Sequence, residues 1–144
     1  MSTFTKVLLV SLCFCLVLCS CTRREAGRKE TFPVKGEVYV DGQPAGDLAV
    51  RCVGLKEVDA TTPRSATYTK SDGKFEIATY ERADGVPEGE YVLTFQWGKR
   101  NLMTMNYEGD KLKGRYSDPK RSQVRFKVEK GKPVDLKRIE LTTK

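Results

Sequence analysis

From residue 34 onward, apolar and polar side chains alternate in short stretches with a period of two, the spacing that sends successive side chains to opposite faces of a β-strand. Val34–Val40 opens the series, and Leu48, Val50 and Cys52 form a second alternating set. Ser65–Lys70 and Lys74–Thr79 flank Ser71-Asp72-Gly73, a turn signal that predicts a hairpin, with Phe75 and Ile77 on one face. The strongest set is Glu90–Trp97, where Tyr91, Leu93, Phe95 and Trp97 share parity. Gln123–Glu129 follows with Val124, Phe126 and Val128 inward, then Val134–Thr142 with Ile139 and Leu141 inward. Leu136 is out of step with those two, which predicts a bulge. Asp41-Gly42, Gly85–Gly89 and Lys130-Gly131-Lys132-Pro133 supply turn chemistry between the sets. Gly98–Ser122 is irregular and reads as a long excursion with one short strand. No stretch has the i, i+3, i+4 spacing of a substantial helix. Seven short strands separated by turn signals predict an all-β, antiparallel Greek-key sandwich or small barrel.

The first twenty residues follow a different pattern. Val7–Cys19 is an apolar run preceded by Lys6. It is shorter than the roughly 20 residues a membrane-spanning helix needs, and fits the apolar middle of a secretory signal peptide. Leu18-Cys19-Ser20-Cys21 then looks like a bacterial lipobox, with Leu three positions before the acceptor and a small residue just before it. The pattern predicts a signal peptide over 1–20 and lipidation of Cys21. A polar tract beginning Thr22-Arg23-Arg24-Glu25 follows, too poor in apolar side chains to order itself, so 21–33 is expected to be a disordered tether. Thr22 rather than Asp follows the acceptor, which favours the outer membrane, with the domain facing the periplasm or the cell surface. An ordinary signal peptide cleaved near Ser20, or an uncleaved anchor, is the plainer alternative.

Residues 34–144 suffice for one domain with one core. Charge is unevenly placed within a net of +7. Gly98–Lys144 holds fourteen Lys and Arg against six acids, a net of +8, whereas Thr22–Trp97 carries eleven against thirteen, a net of −2. Lys111, Lys113, Arg115, Lys120 and Arg121 cluster within the excursion and are the candidate anion-binding residues. Their expected partner is anionic lipid or acidic polysaccharide of the envelope. A solvated strand face is the plainer reading of the same charge. An exported protein does not meet nucleic acid, so no such partner is expected. With Cys21 lipidated, Cys52 is the one thiol left; it cannot form an internal disulfide and reads as a small core residue.

The chain resembles the carboxypeptidase regulatory-like, or transthyretin-like, domain. The resemblance rests on Gly36-x-Val38 with Asp41-Gly42-x-Pro44, on Thr69 with Asp72-Gly73-x-Phe75, and on Gly85-Val86-Pro87-x-Gly89-x-Tyr91-x-Leu93-x-Phe95. Its close, Tyr116-x-Asp118-Pro119, Ser122, Val128-x-Lys130-Gly131 and Leu141, is similar to small planctomycete-type envelope lipoproteins built on that domain. The resemblance covers Val34–Leu141 and implies a seven-stranded, prealbumin-like Greek-key sandwich. These are turn and core positions, so they speak for fold more than for function.

Several chemistries lack their residues. The chain has no His, which removes the usual base of a nucleophilic triad and the commonest zinc ligand. The hydroxyisourate hydrolases among transthyretin-like proteins use His and a terminal Tyr-Arg-Gly-Ser, and this chain closes Leu141-Thr142-Thr143-Lys144. No catalytic residue, cofactor or metal site is expected. Asp41, Asp47, Asp72, Asp84, Glu88 and Glu90 lie at predicted turns; paired carboxylates or a calcium site is the functional reading, turn chemistry the plainer one. Tyr39, Tyr68, Tyr80, Trp97 and Tyr107 are candidates for a sugar-stacking platform, with core packing the better expectation for Trp97. Leu102, Met103 and Met105 beside Tyr107 have an exposed binding patch as their functional reading, and covering one end of the core is the better expectation. The expected function is therefore a non-enzymatic, lipid-anchored envelope binding or structural module. The alternative is a carbohydrate-processing accessory domain or hydrolase, which requires two of the turn carboxylates to meet in one cleft.

Overall fold

The computed structural model describes residues 27–56, 64–104 and 106–144. The signal segment 1–20, Cys21, and residues 22–26 lie outside the described residues. Among the described residues, seven strands have three residues or more: β1 (Val34–Val40), β2 (Ala49–Gly54), β3 (Ser65–Tyr68), β4 (Lys74–Glu76), β5 (Gly89–Gln96), β6 (Arg125–Val128) and β7 (Val134–Leu141). Two-residue strands pair Thr31–Phe32 with Val86–Pro87 and Lys99–Arg100 with Tyr107–Glu108. Among the described residues the only helical element is a single 3-10 turn, Pro119–Arg121.

One sheet has the order β6-β5-β2-β3, antiparallel throughout. The other is centred on β1, with β7 on one side and β4 and Gln43–Pro44 on the other. Alternation works as its period requires. Val34, Val38 and Val40 of β1, Val50 and Cys52 of β2, Phe75 of β4, Leu93 and Phe95 of β5, and Ile139 and Leu141 of β7 join one buried cluster. Asp41 and Gly42 both have positive φ (50° and 80°), the conformation of a tight hairpin turn. That turn returns the chain as Gln43–Pro44 against Tyr39 and Val40.

Four expectations are corrected. The sheets are not wholly antiparallel: β7 runs parallel to β1, because the 129–133 turn carries the chain across to the other sheet instead of closing a hairpin. The register shift in that pair falls between Asp135 and Arg138, around Leu136, where Lys137 has φ 57°. Second, Ser71-Asp72-Gly73 turns the chain and the expected hairpin is only partial: Lys70 N donates to Lys74 O (2.8 Å) and Ala66 bridges Ala78, but the continuous ladders pair β3 with β2 and β4 with β1. Thr69 diverts the chain at this point. Its buried hydroxyl donates to Ala45 O (2.5 Å) and accepts from Leu48 N (2.9 Å).

Third, the tether is shorter at its domain end. Phe32 is apolar and buries in the core as Thr31–Phe32 pairs with Val86–Pro87. Fourth, Leu102 and Met103 do not cap the core: they are 82% and 95% exposed at a hairpin tip, and Met105 lies outside the described residues. Leu112 fills the core from the excursion instead.

Cys52 is buried opposite Leu93, and burial pushes its thiol up to about 12. The thiolate is the reactive form. A thiol reagent at neutral pH is therefore expected to leave Cys52 unmodified in the folded chain and to modify it promptly in denaturant, as read by absorbance or mass.

Candidate functional site

The excursion lies along the edge of β5 that β6 leaves open. Backbone bonds run from Leu93 N to Val124 O (3.0 Å), Phe95 N to Tyr116 O (2.9 Å) and Lys111 N to Trp97 O (2.8 Å). Asp110 organises its start. One carboxylate oxygen accepts from Trp97 N and Leu112 N (both 2.9 Å), the other from Gly114 N (2.8 Å). Asp118 accepts from Lys120 N at 2.9 Å and so caps the 3-10 turn. Glu108 accepts from the Asn101 side chain at 3.2 Å. The three acids of the excursion are thus engaged with amides rather than with cations.

The five candidate anion-binding residues follow from this. Lys111 places its ammonium 4.2 Å over the Trp97 ring. Lys113 holds a left-handed backbone, φ 54°. Arg115 donates to Thr142 O at 3.4 Å, and Lys120 and Arg121 belong to the 3-10 turn. None of the five forms an ion pair with a described carboxylate. Several cations elsewhere are paired, although among the described residues Arg51 and Arg125 of the strands are not. Lys35 and Lys137 pair with Asp135, Lys70 with Glu76, Lys74 with Asp72, Lys127 and Lys132 with Glu129, and Arg138 with Glu140. The five are spread along one edge rather than gathered in a cavity: neither of two grooves, of about 380 and 370 Å³, is lined by any of them.

Three of the five candidate aromatics come together near the Gly46-Asp47 turn. Trp97 is half-buried and its indole N–H donates to Gly46 O at 3.1 Å. The Tyr107 hydroxyl donates to Asp47 O (2.6 Å) and accepts from Gly98 N (2.8 Å). Burial raises its pKa. Its ring lies 5.3 Å from that of Tyr68, and the Arg100 guanidinium sits 4.4 Å over Tyr68. Tyr39 and Tyr80 stand elsewhere, under Arg138 and Arg28. These ring–cation pairs join residues tens of positions apart, so alternation gave no sign of them. The Asp110-x-Leu112-x-Gly114 spacing was a readable signal of an ordered turn.

The turn carboxylates are mostly apart. Thr143 and Thr142 hydrogen bonds hold the Asp41 carboxyl below its usual range, and the backbone N–H of Lys74 does so for Asp72. Asp84 accepts from the amides of Thr79, Tyr80 and Glu81 at 2.7, 2.9 and 3.1 Å. Asp47 has φ 56° and serves through its carbonyl. Glu88 and Glu90, two apart and both exposed, line the groove of about 370 Å³ with Lys29, Lys56, Tyr91 and Lys127.

No family model and no curated protein matches the sequence. Among solved structures, the chain is similar to the 5-hydroxyisourate hydrolase of Klebsiella pneumoniae (TM-score 0.39, 18% identity, covering 80% of this chain and 90% of that one). It is also similar to a DUF3823 family protein from Parabacteroides merdae ATCC 43184 (TM-score 0.38, 15% identity, 80% of this chain) and to a 9R-lipoxygenase from Cyanothece PCC8801 (TM-score 0.39, 13% identity, 78% of this chain). The chain spans 46% of the DUF3823 protein and 16% of the lipoxygenase.

Proposed function

We propose that this is a non-enzymatic envelope module: a seven-stranded, transthyretin-like sandwich anchored through lipid on Cys21, whose basic edge contacts an anionic envelope component. The observation that carries the proposal is the absence, among the described residues, of ion pairs at Lys111, Lys113, Arg115, Lys120 and Arg121 beside acids that bind backbone amides. Cations already paired gain little from an external anion, whereas unpaired ones on a fixed edge are available to it.

Binding to anionic vesicles or acidic polysaccharide is expected to weaken sharply from low to high salt, since the screening length falls to about 8 Å at physiological ionic strength. Lys111→Glu, Lys113→Glu and Arg115→Glu together are expected to abolish it. The domain should stay folded: surface changes typically cost within about 0.5 kcal/mol each, with about 0.5–1 kcal/mol more for the exposed Lys111–Trp97 contact. Co-sedimentation of the triple variant at the level of the parent would refute the reading. The mass of the membrane-purified chain tests the lipid on Cys21 separately. Glu88 and Glu90 in one groove favour the hydrolase alternative. Release of sugar from envelope polysaccharide, lost in Glu88→Gln/Glu90→Gln, would support it.

A further inference from the structure

The hairpin between Lys99–Arg100 and Tyr107–Glu108 presents Leu102 and Met103 to solvent, 82% and 95% exposed. Side chains of this size gain on the order of tenfold or more in partitioning when they leave water. Their exposure is built in. Asn101 N donates to Asn106 O (2.8 Å), and the Asn101 side-chain oxygen accepts from Met103 N (3.0 Å) and Thr104 N (3.2 Å). Asn106 N donates to Thr104 Oγ1 at 3.4 Å. The tip therefore binds the amides of residues 101, 103, 104 and 106 internally and holds Leu102 and Met103 outward at a fixed place, which suits side chains that enter the interfacial layer rather than a backbone that crosses the hydrocarbon.

The base of the hairpin is equally specific. Tyr107 and Tyr68 pack with tilted rings 5.3 Å apart beneath it, with Arg100 over Tyr68. Lys99 forms no ion pair among the described residues, and Lys111 and Lys113 follow on the adjoining edge. An apolar tip, an aromatic collar and unpaired cations in that order match the acyl chains, interface and headgroups of an anionic bilayer. We propose that Leu102 and Met103 form a membrane wedge that docks the domain on the leaflet holding its anchor. The proposal rests on the anchored, basic-edged reading above and commits it to phospholipid.

Chain geometry allows a single leaflet to hold both contacts. Lys29 lies at the Gly89 end of β5, and the hairpin leaves its Gln96 end. The strand separates them by about 23 Å, while the eight residues from Cys21 to Lys29 reach at most about 28 Å. The tether is therefore long enough for anchor and wedge to reach one surface.

The test uses the full chain, purified from membranes and reconstituted into vesicles. Trp97 is the single tryptophan, so Trp97→Phe gives a dark background. Into it go either Met103→Trp or, on the outward side of the second sheet, Glu76→Trp, with folding confirmed by circular dichroism. In vesicles of phosphatidylglycerol and phosphatidylethanolamine, the tryptophan at 103 is expected to shift to the blue and to be quenched severalfold more by acyl-brominated lipid than the one at 76. Emission at 103 as red as in buffer, or equal quenching at both positions, overturns the wedge. Equal insertion into pure phosphatidylcholine overturns the anionic occupant. Salt-sensitive binding that persists while position 103 stays in water removes the wedge and leaves the basic edge standing; loss of both removes the shared reading.

Discussion

Replacing Gly85 with alanine is expected to destabilise the domain by roughly 3–5 kcal/mol. Two costs combine. Gly85 has φ +85°, where an L side chain costs about 1–2 kcal/mol. Its added Cβ would lie 1.7 Å from Phe32 O and 2.8 Å from Pro33 Cα, and these are backbone atoms that no rotamer change can move. Relief requires the Thr31–Phe32 pairing with Val86–Pro87 to separate, which withdraws Phe32 from the core and forfeits about 1.5–3 kcal/mol of burial. Gly85 N also donates to Ile77 O (3.0 Å), and Gly85 O accepts from the Thr79 hydroxyl (2.6 Å), so the residue cannot simply move away. Against a total of about 5–15 kcal/mol, thermal unfolding should begin well below the parent's. A melting temperature within a few degrees of the parent's would show that the N-terminal pairing contributes little.

The strands were legible because burial on one face imposes alternation, as in Val34–Val40 and Val124–Val128; β5 is buried on both faces from Tyr91 to Phe95 and was legible from its run of large apolar side chains. Sheet membership was not. Asp72-Gly73 announces a turn whether the next strand returns to the same sheet or crosses to the other, and Thr69 decided between them through a buried hydrogen bond to residues two dozen positions away. The parallel β7 escaped for the same reason: the alternation of Ile139 and Leu141 fixes a face but no direction. The basic cluster was legible as composition. Its availability was not, because that depends on where Asp110 and Asp118 spend their oxygens. Leu102 and Met103 read as core cover or as an exposed patch from their apolar character alone; the hairpin around them decides for exposure.

Leu93→Ala and Phe95→Ala are each expected to cost about 3–4 kcal/mol, the range for removing a large side chain from a packed core. Both residues are buried on the inward face of β5, the strand that holds β2 on one side and β6 and the excursion on the other. The backbone ladder survives either substitution, so the loss is that of transferred apolar surface plus the unfilled cavity. In urea, the midpoint should fall while the slope of the transition stays unchanged, since the native state remains compact. Leu93 also lies directly opposite Cys52 in the β5–β2 pair, so truncating it opens space beside a thiol otherwise sealed from solvent. Leu93→Ala should therefore speed modification of Cys52 in the folded chain well beyond what Phe95→Ala does, although the two lose similar stability. Leu102→Ser with Met103→Ser supplies the contrast: those side chains face water, and the stability read from the midpoint should not change by more than about 0.5 kcal/mol. If the tip variant melts as early as the core variants, the hairpin packs on the domain. If Leu93→Ala and Phe95→Ala melt with the parent, the inward face of β5 has been assigned to the wrong side.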